Sequence, residues 1–246
     1  MLPYERKKLI EDYIEKNKET SIDEICELTP DVSASTVRRD LKTLENEGVI
    51  SVYYGGIVKK NVFSVEQKIE SKRLTNMDAK NRIAKYAASL VSPNETIFLD
   101  SGSTVAEMIR YLDPSVKVIT TSIDIVVSNI NKLEIYLLGG NVSEVRNSVY
   151  GISTIEQLSD FIFEKAFLGA NGIGEKFGIT TPSVEETMLK KKVIKNSSKV
   201  YFLIDSSKIG NFSTCKVSEI DENYVIMDKS NHLTEIYQNI SYPLEG

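Results

Sequence analysis

Two stretches of this chain gather residues that could hold phosphate. The first is Asp100-Ser101-Gly102-Ser103-Thr104. An apolar run, Thr96 to Asp100, leads in, and a helical pattern, Val105 to Leu112, leads out. A strand that turns through Gly, Ser and Thr into a helix presents hydroxyls and unpaired backbone N–H groups, which together suit an anion. The plainer reading of the same residues is a capped turn. The second stretch runs from Ser33 to Ile50 and carries Ser33, Ser35, Thr36, Arg38, Arg39 and Lys42. Val37, Leu41 and Leu44 recur at helical spacing and mark one buried stripe, with Gly48 as the stop. The two arginines and Lys42 must then point outward. They form either a solvated face or a surface for nucleic acid, where hydroxyls and guanidiniums bond phosphate and arginine can read guanine.

The elements that would position the second stretch are short. Leu9, Ile10, Tyr13 and Ile14 make a stripe on a first helix, Glu5 to Lys16, followed by a polar turn, Asn17 to Thr20. Ser21-Ile22-Asp23-Glu24 fits a capping box that opens a second helix, with Ile22, Ile25 and Cys26 facing inward. Thr29-Pro30-Asp31 ends that helix, and Ser33 caps the third. Val49 to Val58 is β-branched and aromatic, broken by Gly55-Gly56, and reads as a hairpin. Helix, short helix, turn, helix and hairpin make a winged helix-turn-helix, whose last helix enters the major groove. Residues 1–60 hold 10 Lys and Arg against 12 Asp and Glu. A DNA-binding face here must therefore be local, and Lys59 and Lys60 after the hairpin can add to it.

The first stretch belongs to a different pattern. Asn61 to Met77 reads as a connecting helix, with Val65, Ile69 and Arg73 on one face, and Asp78 to Leu90 as a firmer helix. Apolar runs at Thr96–Asp100, Val116–Thr120, Glu134–Leu138, Lys165–Leu168, Val200–Asp205 and Tyr224–Met227 alternate with helical stretches. Continuous apolar strands between helices predict a mostly parallel sheet covered on both faces. Several runs end in small or polar residues, at Thr121-Ser122, Gly139-Gly140, Asn171 and Asp205 to Lys208. Ligands of such sheets bind beyond the carboxyl ends of the strands, so these ends should converge. Ser183-Val-Glu-Glu186 fits another capping box, opening a helix that runs to Asn196. Gly169-Ala-Asn-Gly172-Ile-Gly174 lacks the dinucleotide-binding spacing.

Composition narrows the classes. The chain has 246 residues, 41% apolar and 26% charged, with 30 Lys and Arg against 35 Asp and Glu. Its single histidine, His232, has neighbours that suggest no triad or multi-histidine metal site. Cys26 and Cys215 form no paired motif and are expected as reduced thiols. With no apolar stretch of spanning length and an N-terminus charged at once, the chain is expected to be cytoplasmic, with no membrane partner. No cofactor and no metal are expected.

Taken together, Ser-Thr-Val-Arg-Arg-Asp-Leu at 35–41, Tyr-Tyr-Gly-Gly at 53–56, and the strand-end motifs resemble the DeoR family of bacterial transcriptional regulators. The turn at 28–32 is one residue longer than that family's usual form, and Val52 and Tyr54 stand where its wing usually has a basic residue and a histidine. The resemblance implies a winged helix-turn-helix at 1–60, a linker at 61–77 and a sugar-phosphate-sensing α/β domain at 78–246, resembling ribose-5-phosphate isomerase folds. It implies a double-stranded DNA operator contacted by Ser33, Ser35, Thr36, Arg38, Arg39, Lys42 and Lys59. It also implies a phosphorylated sugar held by Asp100, Gly102, Ser103, Thr104, Thr121, Ser122, Gly140, Asn171, Glu186 and Lys208. The function implied is repression of a carbohydrate uptake or catabolism operon by a homodimer or higher oligomer. The alternative is a sugar-phosphate isomerase. Such enzymes use carboxylates where this chain has Leu168 and Asn171, and an amide cannot serve as general base.

Overall fold

The computed structural model describes residues 3–46, 49–61, 69–129 and 132–244. Gly48, and Val65 within the connecting stretch, lie outside them. The chain divides into two compact units, Met1–Gln67 and Lys68–Gly246.

The first unit packs helices α1 (Pro3–Asn17), α2 (Ile22–Leu28) and α3 (Ala34–Asn46) with strands β1 (Glu19–Ser21), β2 (Ile50–Val52) and β3 (Ile57–Lys60). Its core is Ile10, Ile14, Ile25, Val37, Leu41, Leu44, Ile50 and Val58, so the stripe read on α3 is buried. The capping box of α2 is complete: Ser21 Oγ accepts from Glu24 N at 3.2 Å and Glu24 Oε2 accepts from Ser21 N at 2.9 Å. Glu19 to Ser21 is a strand where a polar turn was expected. Lys18 takes φ +62° and turns the chain early, and β1 then pairs with β3. Strand order is β1-β3-β2, so the wing hairpin has a third member drawn from polar sequence. Tertiary pairing has overridden weak local preference here.

The second unit is built on a seven-stranded sheet of order β15-β14-β12-β9-β4-β5-β6. Its strands are β4 (Thr96–Leu99), β5 (Lys117–Thr120), β6 (Glu134–Leu137), β9 (Phe163–Gly169), β12 (Ser197–Leu203), β14 (Tyr224–Ile226) and β15 (Ile240–Ser241). Every pairing in it is parallel. Alternate side chains enter two separate cores. Ile97 and Leu99 pack with Ile83, Ala84 and Ala87 of α5 (Met77–Ser89), while Phe98 packs with Leu189 and Val193 of α9 (Val184–Lys195). Burial on both faces explains why the strands read as unbroken apolar runs. Sequence reading missed the small antiparallel sheet of β10 (Gly172–Gly174), β11 (Gly178–Thr181) and β13 (Cys215–Ser218). It also missed the hairpin of β7 (Asn141–Ser143) and β8 (Ser148–Tyr150). These strands have three or four residues each and are specified by their partners. Short helices α4 (Ile69–Leu74), α6 (Ser103–Ala106), α7 (Ile123–Val127), α8 (Ile152–Gln157) and α10 (His232–Ile236) complete the unit.

The sheet order has a functional consequence. From β4 the chain steps outward through β5 and β6. It then returns to β9 on the other side of β4 and steps away through β12, β14 and β15. The direction reverses between β4 and β9, and a crevice at such a reversal is where open α/β sheets take ligands.

Leu41 is central to the small first core, and its truncation leaves a cavity that neighbours can only partly close. Leu41→Ala should cost that unit about 2–5 kcal/mol. Urea unfolding followed by helix signal should resolve an early loss of the first unit, with the second unit's transition unmoved.

Candidate DNA-binding and effector sites

The outward face of α3 is as its periodicity demands. Ser33 Oγ accepts from Thr36 N at 3.3 Å and lies 2.9 Å from both Ser35 Oγ and Thr36 Oγ1, which makes Ser33 the cap and clusters three hydroxyls at the helix start. Arg38 and Arg39 are exposed and form no ion pair with another described residue. Asp40, between them and the core, turns inward to Arg6 at 2.5 Å and ties α3 to α1. Lys42 is exposed but paired with Glu45 at 2.9 Å. Glu45 also accepts from Val52 N at 3.1 Å, and the bonds from Lys42 and Val52 hold its carboxyl below the usual range. That bond fixes the wing's first strand to the end of α3.

The wing lysines are less available than their sequence position suggests. Lys59 pairs with Glu19 at 2.7 Å and stands over the Tyr53 ring, and Lys60 pairs with Glu15 at 3.0 Å. Glu15 lies on α1 and Glu19 on β1. Tyr54 is fully exposed at the wing tip, where Gly55 and Gly56 take φ of +86° and +77°. The turn therefore needs both glycines.

In the second unit, the residues after β4 meet those after β9. A side chain on Gly102 would stand 3.5 Å from Gly169 Cα, so the two strand ends approach backbone to backbone. Asp100 is buried there and accepts from Gly169 N at 2.9 Å and from the ammonium of Lys190. Lys190 is fully buried and also pairs with Glu186 at 2.9 Å. Burial alone would lower the Lys190 pKa, but Asp100 and Glu186 raise it well above the lysine range. Burial would raise Glu186, yet the Lys190 charge and hydrogen bond bring it down to about 2. The capping box expected at Ser183 is consequently half made. Ser183 Oγ accepts from Glu186 N at 3.3 Å, but the Glu186 carboxylate turns to Lys190.

Ser103 and Thr104 open α6, which has one α-helical turn before a 3-10 turn at Glu107–Arg110, where a helix from Val105 to Leu112 was expected. No side chain caps it, and its first intrahelical bond is Ala106 N to Gly102 O at 2.9 Å, so the N–H groups of 103–105 lack an intrahelical acceptor. Anion affinity here would come from those N–H groups and two hydroxyls, with little macrodipole behind them. Thr121 and Ser122 follow β5 and are buried; Ser122 Oγ caps α7 by accepting from Ile125 N at 3.3 Å. Gly140 is dictated by packing. A Cβ there would fall 2.1 Å from Thr154 Oγ1 and 2.6 Å from Tyr150 O. Asn171 accepts a half-buried place after β9, its N–H donating to Thr180 O at 3.0 Å.

Lys208 lies after β12 beside a residue that sequence reasoning missed. Lys80 of α5 is buried and donates to the carbonyls of Thr75, at 2.7 Å, and Lys72. Burial lowers its pKa to about 8; Asp205 opposes the shift, and the charges of Lys208 and Lys72 add to it. Lys72, Lys80 and Lys208 thus form a cationic group near the strand ends. Among the described residues no set of His, Cys, Asp and Glu could hold a metal ion, and no helix is long and apolar enough to cross a membrane.

Lys80 generates a pH prediction. Its folded pKa lies below that of the unfolded chain, so from about pH 8 to about 10.5 the unfolded state binds the extra proton. Stability linked to Lys80 therefore rises with pH across that window, and below it the cost of the buried charge is fully present. Urea unfolding at about pH 7.5, below the window, and at about pH 10, near its upper end, should show wild type gaining on Lys80→Met; identical pH dependence would contradict the assignment.

The chain is similar to proteins whose roles fit these two units. A model of the DeoR-like helix-turn-helix domain matches residues 6–61, and one of the DeoR C-terminal sensor domain matches 75–229. The Bacillus subtilis transcriptional regulator FruR is 36% identical across 95% of this chain and 94% of its own length. The B. subtilis transcriptional repressor GlcR is 35% identical, covering 90% of this chain and 86% of its own. A lactose phosphotransferase system repressor of Staphylococcus epidermidis is 31% identical over 98% of both. Among solved structures, ribose 5-phosphate isomerase A of Methanocaldococcus jannaschii aligns over 55% of each chain at 24% identity and a TM-score of 0.41. The matches to the family models cover both units, and this chain belongs to the DeoR family of helix-turn-helix transcriptional regulators.

Proposed function

We propose that this regulator is a cytoplasmic repressor of a carbohydrate uptake or catabolism operon, and that a phosphorylated sugar bound in the second unit controls its grip on operator DNA. The observation that carries the reading is the uncapped start of α6 at the sheet's reversal point, with the cationic group of Lys72, Lys80 and Lys208 nearby. Gly102, Ser103 and Thr104 would hold the phosphate by N–H groups and hydroxyls, and Lys208 would add a point charge. Glu186 and Asn171 would bond sugar hydroxyls. Asp100, spent on Lys190 and Gly169, positions these groups. Thr121, Ser122 and Gly140 shape the neighbouring strand ends. The names of two relatives support repression, and one of them, the lactose phosphotransferase system repressor, supports a link to sugar uptake.

On the DNA side, Ser33, Ser35, Thr36, Arg38 and Arg39 would meet the major groove. Lys42 and Lys59 would join them by exchanging Glu45 and Glu19 for phosphate. With so little free positive charge on one module, affinity would depend on two heads in a homodimer or higher oligomer.

Thermal denaturation against a panel of sugar phosphates tests the effector. One of them at a hundredfold excess over its Kd should add about 2.7 kcal/mol and raise the midpoint. The matching free sugar should do far less. A panel without effect would overturn the reading. For DNA, Arg39→Ala should weaken binding to an operator selected from random duplexes by about 1–3 kcal/mol. Unchanged affinity with an unchanged salt slope in a mobility-shift titration would remove Arg39 from the interface.

A further inference from the structure

We infer that α4 is a strap through which the effector site acts on the DNA-binding unit, an inference that rests on the effector reading above. In the chain, α4 opens the described part of the second unit and follows directly on the residues that lead back to the wing strand β3. The fastenings of α4 and of Asn76, which joins it to α5, lie at loops beyond the sheet's carboxyl ends or on α5. Ile69 N donates to Val145 O at 2.8 Å, in the β7–β8 hairpin. Arg73 Nη2 pairs with Asp124 Oδ1 at 2.8 Å, after β5. Asn76 Nδ2 donates to Asp205 Oδ1 at 3.3 Å and Ser207 Oγ at 3.1 Å, after β12. Lys80 holds the carbonyls of Lys72 and Thr75 from α5. The helix also packs against α6, which begins with Ser103 and Thr104. It therefore crosses the ends of β12, β4 and β5, where the phosphate would sit.

Two electrostatic facts make the strap responsive. Lys72 acts on both Glu186 and Lys80, so the strap carries a cation within reach of the site. The charges of Lys72 and Lys208 both bear on the buried Lys80; a phosphate bound beside them would offset that and favour α4 in its fastened place. Arg73 is the fastening most exposed to change. Asp124 is buried, its Oδ2 has no hydrogen-bond partner among the described residues, and Arg73 and Asn147 share its other oxygen. Releasing α4 would turn Ile69–Leu74 into tether between the second unit and the DNA-binding head, which changes how two heads are presented to paired half-sites.

The test compares Arg73→Gln, Arg73→Lys and, elsewhere in the same unit, Lys165→Gln, which breaks the buried pair with Glu95. Operator affinity of the full-length proteins is measured by fluorescence anisotropy, first with no ligand, then with glucose 6-phosphate, fructose 6-phosphate and fructose 1-phosphate as probes. Without ligand, Arg73→Gln should shift operator affinity by about threefold or more, because tether length sets effective concentration. Arg73→Lys should restore wild-type affinity, and Lys165→Gln should leave it unchanged despite its own loss of stability. Where a probe alters wild-type operator affinity, that ratio should fall toward one in Arg73→Gln. Wild-type operator affinity in Arg73→Gln, or an equal shift in Lys165→Gln, would overturn the strap. If no probe raises the wild-type melting temperature, the effector reading loses its support. The ligand-free comparison still decides the strap.

Discussion

The buried ammonium of Lys190 organises the second unit. A charge with no access to water must be neutralised where it lies, because an unpaired one costs several kcal/mol. Asp100 and Glu186 neutralise it, and Asp100 also takes the N–H of Gly169. One cation thus joins the end of β4, the end of β9 and the first turns of α9, which are the elements around the sheet's reversal point. The arrangement has a chemical consequence. Two carboxylates around one cation leave a net negative floor, unsuited to phosphate. In the proposed reading a phosphate would lie a few residues on, at the N–H groups of α6 and beside Lys208, which would leave Glu186 for sugar hydroxyls.

The first unit solves the opposite problem. It is acidic in composition yet has to approach a polyanion. Its acids are occupied in holding the fold: Asp40 on Arg6, Glu24 in a cap, Glu19 on Lys59, Glu15 on Lys60 and Glu45 on Lys42 and the wing. The exposed pairs among these, those of Lys42, Lys59 and Lys60, contribute little to stability and can be traded for phosphate at small cost. Arg38 and Arg39 need no such exchange, and in the proposed reading they would be the first cations to meet DNA.

Much of this was legible in the sequence wherever structure is local. The α3 stripe, the Ser21 box and six of the seven strands of the parallel sheet follow from periodicity and capping alone. The unread parts depend on distant partners. Lys190 stands in Leu-Lys-Lys-Lys, which resembles a solvated face. Only its place four residues after Glu186 hinted at a pair, and its inward turn depends on Asp100, 90 residues away in sequence. Lys80 was hidden in the same way, in a helix whose alanines define the buried side. Strand β1 owes its existence to β3, and the half-made Ser183 box to the pull of Lys190 on Glu186. Tertiary partners, backbone in one case and charged or carbonyl groups in the others, decided each of these, and no periodic pattern encodes them.

Hydrogen exchange of the full-length protein, with and without a sugar phosphate that raises its melting temperature, tests the central claim most directly. The account predicts new protection at the amides of Ser103 to Val105, with smaller gains at 121–122 and 206–208. Protection confined to other segments, with the α6 amides exchanging as before, would contradict a phosphate site at the reversal point of the sheet.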